Sequence, residues 1–298
     1  MRNRPTTERR SAVEHPVTPA DALRFGQSMC AQAGSDTPRL DAEVLLRHVL
    51  GIGRAELFAR LNDPLDPGQA SDFFTLLGRR VAGEPVAYLT GEREFFGRPF
   101  RVGEGVLVPR PETELLVEWA LGWLRGHPGA SVIDVGTGSG AIALTLAAEL
   151  GEAWSGRIVG VDFSVDALAW ARRNRAALGL DRRVKLIHGD LLDWASDRSA
   201  GLVVANLPYL TPAQLDSNSW LAAEPASALV AGDDGLDLVR CAIAALPRVL
   251  QPGGAAGFEI DPAQAAEVRR LLSAALPGAA VRTIPDLAGL PRHFVAET

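Results

Sequence analysis

The chain has 298 residues, 47% hydrophobic and 22% charged, with a net charge of −6. That is the balance of a globular protein, and its acidic sign gives no bulk pointer to a nucleic-acid partner. No apolar run approaches the roughly 18 residues a bilayer span needs. Cys30 and Cys241 form no CxxC pair, and the five histidines have no metal-ligand spacing. A disulfide framework and a metal site are therefore not expected, and a reducing cytoplasm is. The charged start "MRNRPTTERR" has no apolar core behind it, so no secretory signal is expected.

Residues 1–16 are polar and read as a disordered tail. Thr18, with Pro19 and Asp21 behind it, reads as the cap of a first helix. Ala42, Leu45, Leu46, Val49 and Leu50 lie on one face of a second helix, ended by Gly51. "RAELFARL" and "GQASDFFTLLGRRVAG" supply two more. Residues 17–84 thus read as a helical bundle. Residues 85–108, rich in β-branched and aromatic residues and glycines, read as a linker of one or two hairpins. "PRPETELLVEWALGWLRG" then opens a helix, with Pro109 and Pro111 at its start.

From Ser131 apolar strands alternate with helices: "SVIDVG", "RIVGVDF", "VKLIHGD", "GLVVANL" and "GGAAGFEI" are five strands with helices between or after them. Such alternation implies a doubly wound parallel sheet, and residues 109–298 read as one α/β catalytic domain. "AVRTIPDL" and "PRHFVAE" have no helix between them and should form an antiparallel hairpin at the sheet edge.

"DVGTGSGA" follows the first strand and opens a helix, so Gly136, Gly138 and Gly140 can bring backbone close to a ligand. Asp162 ends the second strand, where a carboxylate can accept from a ribose diol. Together they indicate a nucleotide-type ligand. With Ala141 as the last residue of the pattern, the loop also fits the NAD fingerprint. Asp134 argues otherwise: a carboxylate inside the strand end, two residues before the first glycine, would repel a pyrophosphate and suits a cation such as the amino and sulfonium groups of S-adenosylmethionine. The C-terminal hairpin resembles the seventh strand of S-adenosylmethionine-dependent methyltransferases, and that resemblance implies adenine contacts from Asp190 and Leu191.

"LVVANLPYL" ends the fourth strand with Asn206 at the carboxyl end of the sheet, where ligands of this architecture lie. The residues suit methyl transfer to a planar NH2 group. The Asn206 side-chain oxygen can accept one N–H and the Leu207 carbonyl the other, held outward because Pro208 confines its predecessor to extended geometry. Tyr209 can pack on the planar group. Catalysis would be mainly positioning, with no strong base needed before attack. The plain alternative is a proline turn in which Asn206 bonds its own backbone.

The glycine loop with Asn-x-Pro-Tyr resembles amino-group methyltransferases. "GEPVAYLTGEREFFGRPFRVGEGVLVPRPETELLVE", "DVGTGSGAIALTLA", "EPASALVAGDDGLD" and "DLAGLPRHFV" resemble the PrmC/HemK family, from about residue 20 to the end. The resemblance implies a seven-stranded Rossmann-like S-adenosylmethionine-dependent core; the architecture suggests that the N-terminal helical domain docks the substrate, since a flat macromolecular substrate needs a second contact surface, and a cytoplasmic monomer is expected. It implies methyl transfer from S-adenosylmethionine to the glutamine amide of the Gly-Gly-Gln motif in class 1 peptide chain release factors. Gly136, Thr137, Gly138, Ser139, Gly140, Asp162 and Leu191 would bind the methyl donor; Asn206, Leu207, Pro208 and Tyr209 would bind the amide; Phe95, Phe96 and "PRPETE" would wall the entrance or serve the core. Leu207 stands where the family usually has a first proline, a swap expected to loosen the turn and spare the chemistry. Asn-Leu-Pro-Tyr also resembles rRNA adenine dimethyltransferases, so adenine N6-methylation of rRNA or DNA is the alternative. A non-catalytic nucleotide-binding module and an NAD oxidoreductase are more distant ones.

Overall fold

The computed structural model describes residues 17–298; the expected tail, 1–16, lies outside the described residues. The chain divides into two compact units, one ending at Leu89 and one running from Thr90 to Thr298.

The first unit is helical. Thr18 caps α1 (Pro19–Gln32) through a reciprocal box: its hydroxyl accepts from the Asp21 N–H at 3.2 Å, and the Asp21 carboxylate accepts from the Thr18 N–H. α2 (Pro38–Leu50) ends at Gly51, whose φ of 64° closes the helix in the left-handed region. α3 (Arg54–Ala59) and α4 (Pro67–Val81) follow, the latter capped by Asp66. Leu45, Leu46, Leu57, Phe73 and Leu77 form the core, with Cys30 buried among them. Asp41 is buried but satisfied: Ser35, Thr37 and Arg80 all donate to its carboxylate.

The segment 85–108 is not all hairpin. Val86–Thr90 forms a short helix, α5, because the Pro85 carbonyl accepts from both Tyr88 and Leu89 N–H. A single antiparallel hairpin follows, β1 (Glu92–Phe95) and β2 (Arg98–Arg101). Phe95 and Phe100 meet edge to face at 5.9 Å beneath it. "PRPE" likewise stays outside the next helix, which begins only at Thr113: α6 (Thr113–Gly126). Pro111 disfavours helical geometry at Arg110, which delays the start.

The second unit then alternates strand and helix: β3 (Val132–Val135), α7 (Ala141–Leu150), β4 (Ile158–Asp162), α8 (Val165–Ala177), β5 (Val184–His188), β6 (Ala200–Ala205), α9 (Pro212–Asp216), α10 (Asp237–Val249), β7 (Leu250–Glu259), α11 (Ala265–Ala275), β8 (Ala280–Pro285) and β9 (Pro291–Glu297). The seven-stranded sheet runs β5-β4-β3-β6-β7-β9-β8. It is parallel except for β9, which inserts antiparallel between β7 and β8, so the expected edge hairpin is present with its second strand inward. β3 and β6 are buried along their whole length, as strands covered on both faces must be. Register aligns Val135 with both Val161 and Ala205. The glycine loop, Asp162 and Asn206 therefore leave the sheet at one common end.

Candidate active site

At that end lies a cavity of about 340 Å³, within the range of small-molecule sites. Gly136, Thr137, Gly138 and Ser139 form one wall, Asp162, Asp190 and Leu191 another, and Asn206, Leu207 and Pro208 the far side. Val106, Leu107, Pro109, Arg110 and Thr113 close it from the segment before α6.

The loop is built by backbone bonds. Gly136 and Thr137 N–H both donate to the Val161 carbonyl, at 2.9 Å each. Gly140 has φ of 86° and caps α7. A β-carbon there would approach Leu144 Cδ1 to 2.7 Å, and on Gly136 it would approach Leu207 Cδ2 to 2.9 Å. Neither position accepts a side chain, so the loop presses directly on its neighbours.

Asp134 lies beneath this loop rather than in the cavity wall. It is fully buried, and its Oδ2 accepts from the Thr137 hydroxyl at 2.6 Å and the Ala143 N–H at 3.0 Å. Its Oδ1 has no partner. Burial pushes its carboxyl up to about 7, against the lowering effect of those two bonds. Asp162 lines the cavity and accepts from Gly138 N–H and Ser164 N–H, both at 2.8 Å. Burial raises this carboxyl too, with the same two bonds opposing. Leu191 lines the wall with φ of 40°, a conformation costly for a leucine. Asp190 is exposed at the rim.

Asn206, Leu207 and Pro208 also line a second cavity of about 200 Å³, together with Tyr209, Arg110, Asp261 and Arg292. The two cavities therefore meet at the Asn-Leu-Pro turn. Asn206 Nδ2 donates to Thr113 Oγ1 at 2.9 Å, and the Thr113 hydroxyl donates to Glu259 Oε2 at 2.6 Å. The Tyr209 hydroxyl donates to Glu259 Oε1 at 3.3 Å; burial raises this phenol, and the neighbouring carboxylate raises it further. Leu207 is not an exposed turn residue: it is buried in the core beside the sheet.

Of the aromatic residues expected at the entrance, Phe95 lines the cavity from below, while Phe96 packs into the core under the sheet. Glu114 of "PRPETE" accepts from the Phe96 N–H at 2.9 Å. Several supporting residues were given no individual role by the sequence. Glu224 is buried and accepts from Val108 N–H and from Arg110, tying the segment before α6 to the chain after α9. Asn174, inside the basic run "RRNR", is buried; its side chain bonds Arg101 twice and donates to the Ser139 carbonyl of the loop. Glu259 and His293 are also buried, with His293 Nε2 3.6 Å from Glu259 Oε2.

A parallel sheet with one inserted antiparallel strand, a glycine loop after its central strand and an acid ending the next define an S-adenosylmethionine-dependent methyltransferase core. The comparisons with known proteins narrow the class. Residues 21–91 match the PrmC N-terminal domain and 126–263 a methyltransferase domain. The release factor glutamine methyltransferase of Moorella thermoacetica is 40% identical over 94% of this chain and 98% of that protein. The enzyme of the same name from Burkholderia pseudomallei is 41% identical over 93% and 95%. A crystal structure of an S-adenosylmethionine-dependent methyltransferase from Aquifex aeolicus, 19% identical, overlays with a TM-score of 0.42, covering 63% of this chain and 92% of that one. The chain belongs to the release factor glutamine methyltransferase family.

Proposed function

We infer that this chain is a methyltransferase that places a methyl group on the side-chain amide nitrogen of the Gly-Gly-Gln glutamine in release factors. Its full-length likeness to enzymes of that name carries the assignment. The observation that carries the residue roles is the position of Asn206 where the two cavities meet, with Nδ2 engaged by Thr113 and Oδ1 making no hydrogen bond among the described residues.

S-adenosylmethionine supplies an electrophilic methyl on a sulfonium. The larger cavity fits it: a glycine loop without side chains, a carboxylate at Asp162 for a ribose diol and an apolar wall at Leu191. Asp134, Gly136, Thr137, Gly138, Ser139, Gly140, Asp162, Asp190 and Leu191 are the residues we assign to the donor, Asp134 and Gly140 by supporting the loop from outside the cavity wall. The smaller cavity receives the glutamine side chain. Asn206 Oδ1 accepts one amide hydrogen and the Leu207 carbonyl the other, which leaves the nitrogen lone pair to face the methyl carbon. With the donor bound, accepting its methyl group would make the nitrogen acidic, and the displaced proton would pass to water; the residues of this chain contribute the positioning. Pro208 holds the Leu207 carbonyl outward, and Tyr209 anchors the turn through Glu259. Residues 17–84 supply a second contact surface for a macromolecular substrate. Phe25 and Phe74, exposed and edge to face at 5.6 Å, mark one face of it.

Mass spectrometry of a Gly-Gly-Gln release factor after incubation with this protein and S-adenosylmethionine tests the assignment: a single added methyl on that glutamine is expected. Asn206→Ala should lower the rate about tenfold to a hundredfold, since it leaves an amide hydrogen unpaired. Undiminished turnover by that variant removes Asn206 from the mechanism.

A further inference from the structure

We propose that Thr113 and Glu259 are positioning residues that set which way round the Asn206 amide sits. The proposal rests on the glutamine-methylation reading above and extends it to Thr113, at the edge of the larger cavity, and to Glu259 behind it.

An asparagine amide can present its oxygen or its NH2 to the reaction, and the two ends are nearly isosteric. Only the oxygen can accept a substrate N–H. An NH2 group in its place would point hydrogen at hydrogen and eject the amide to be methylated. The site therefore needs a device that selects one orientation, and a neighbouring hydroxyl alone does not provide it. A threonine can both donate and accept, so it would satisfy either end of the asparagine.

Glu259 removes that freedom. Its Oε2 accepts the single hydrogen of the Thr113 hydroxyl, at 2.6 Å. What remains on Thr113 Oγ1 is lone pairs, which accept only from an NH2. Asn206 Nδ2 occupies that place at 2.9 Å, and Oδ1 is left for the cavities. Thr113 and Glu259 are both buried. Tyr209 donates to the other carboxylate oxygen, so the carboxylate cannot turn away. The chain places the parts far apart, with Thr113 at the start of α6, Asn206 after β6 and Glu259 ending β7. They meet because β6 and β7 are adjacent in the sheet, with Ala205 paired to Phe258.

The test uses the full chain, S-adenosylmethionine and a Gly-Gly-Gln release factor. Four variants are compared: Thr113→Val, Thr113→Ser, Asn206→Ala and the Thr113→Val/Asn206→Ala double. Thr113→Ala runs alongside in case valine impairs folding. We expect Thr113→Val to lower kcat about tenfold, with the Kd for S-adenosylmethionine by titration calorimetry unchanged. Thr113→Ser should recover most of the rate, because it restores the relay. In the Asn206→Ala background Thr113→Val should cost nothing further, since there is no amide left to orient. A wild-type kcat in Thr113→Val overturns the proposal. So does a serine variant as slow as the valine one, a full additive loss in the double variant, or loss of donor binding in both Thr113→Val and Thr113→Ala. If Asn206→Ala itself turns over at the wild-type rate, the methylation reading falls and this proposal with it. An impaired Asn206→Ala beside an unimpaired Thr113→Val sinks the relay alone.

Discussion

Asp134 shows how one side chain can be stable and costly together. Its carboxyl is buried, one oxygen is saturated, and the other has nothing to bond. Raised from 3.8 to about 7, it keeps its proton in the folded chain at pH values where the unfolded chain has lost it. The folded state therefore binds more protons between those two values, and stability falls as pH rises through that window. At about 1.4 kcal/mol per unit, the whole effect is on the order of 4 kcal/mol. Chemical denaturation of the ligand-free protein between about pH 4 and pH 7 should show this decline. Asp134→Asn should flatten it, because the amide keeps an acceptor for Thr137 and Ala143 and does not ionise. A decline of equal size in the variant would assign it elsewhere. Leu207 is a second residue whose side chain bears on the loop. Its side chain lies against the glycine loop, within 2.9 Å of where a Gly136 β-carbon would stand. It packs the turn against the loop.

At the scale of elements, the strand–loop–helix from β3 to α7 is one device. A short apolar run and three glycines make it legible in the sequence, and the structure adds what a side chain would meet at Gly136 and Gly140. Gly140→Ala would place a methyl 2.7 Å from Leu144 in a left-handed backbone. It should cost about 1–3 kcal/mol, read as a lowered midpoint in urea unfolding, and weaken S-adenosylmethionine binding in calorimetry. An unchanged midpoint would show that the loop can shift without strain. The chain between β6 and α10 was not legible in the same way. α9 is five residues long, and two single 3-10 turns follow it. Such short pieces have no periodicity to read, yet Pro225, Ser227 and Ala228 of this stretch line the larger cavity. The segment is held by Glu224, whose partners Val108 and Arg110 lie more than 110 residues earlier.

For the whole molecule, the two units do different work. The sheet unit carries both cavities; the helical unit carries exposed aromatic residues and its own core. If the helical unit docks the release factor, Phe25→Ser with Phe74→Ser should raise the KM for that substrate about fivefold or more, while the Kd for S-adenosylmethionine stays put. Steady-state kinetics with the intact release factor would measure the first and calorimetry the second. An unchanged KM would move the docking surface elsewhere. No helix among the described residues is long and apolar enough to cross a membrane.

Local chemistry was enough to read the order of helices and strands, the parallel sheet, the glycine loop, and the carboxylate and carboxamide at the ends of β4 and β6. Periodicity, capping residues and glycine positions act over a few neighbours, so they can be read along a chain. The same rules erred where a proline's effect depended on what lay around it: after Pro85 a helical turn formed in place of a strand, and after Pro109 the helix waited until Thr113. What no local rule reaches is the relay from Glu259 through Thr113 to Asn206, the fastening by Glu224, and the hold of Asn174 on the glycine loop. Each is a hydrogen bond from a side chain to a side-chain or backbone partner more than 30 residues away in sequence, and its partner is chosen by the packing of the sheet and its flanking segments.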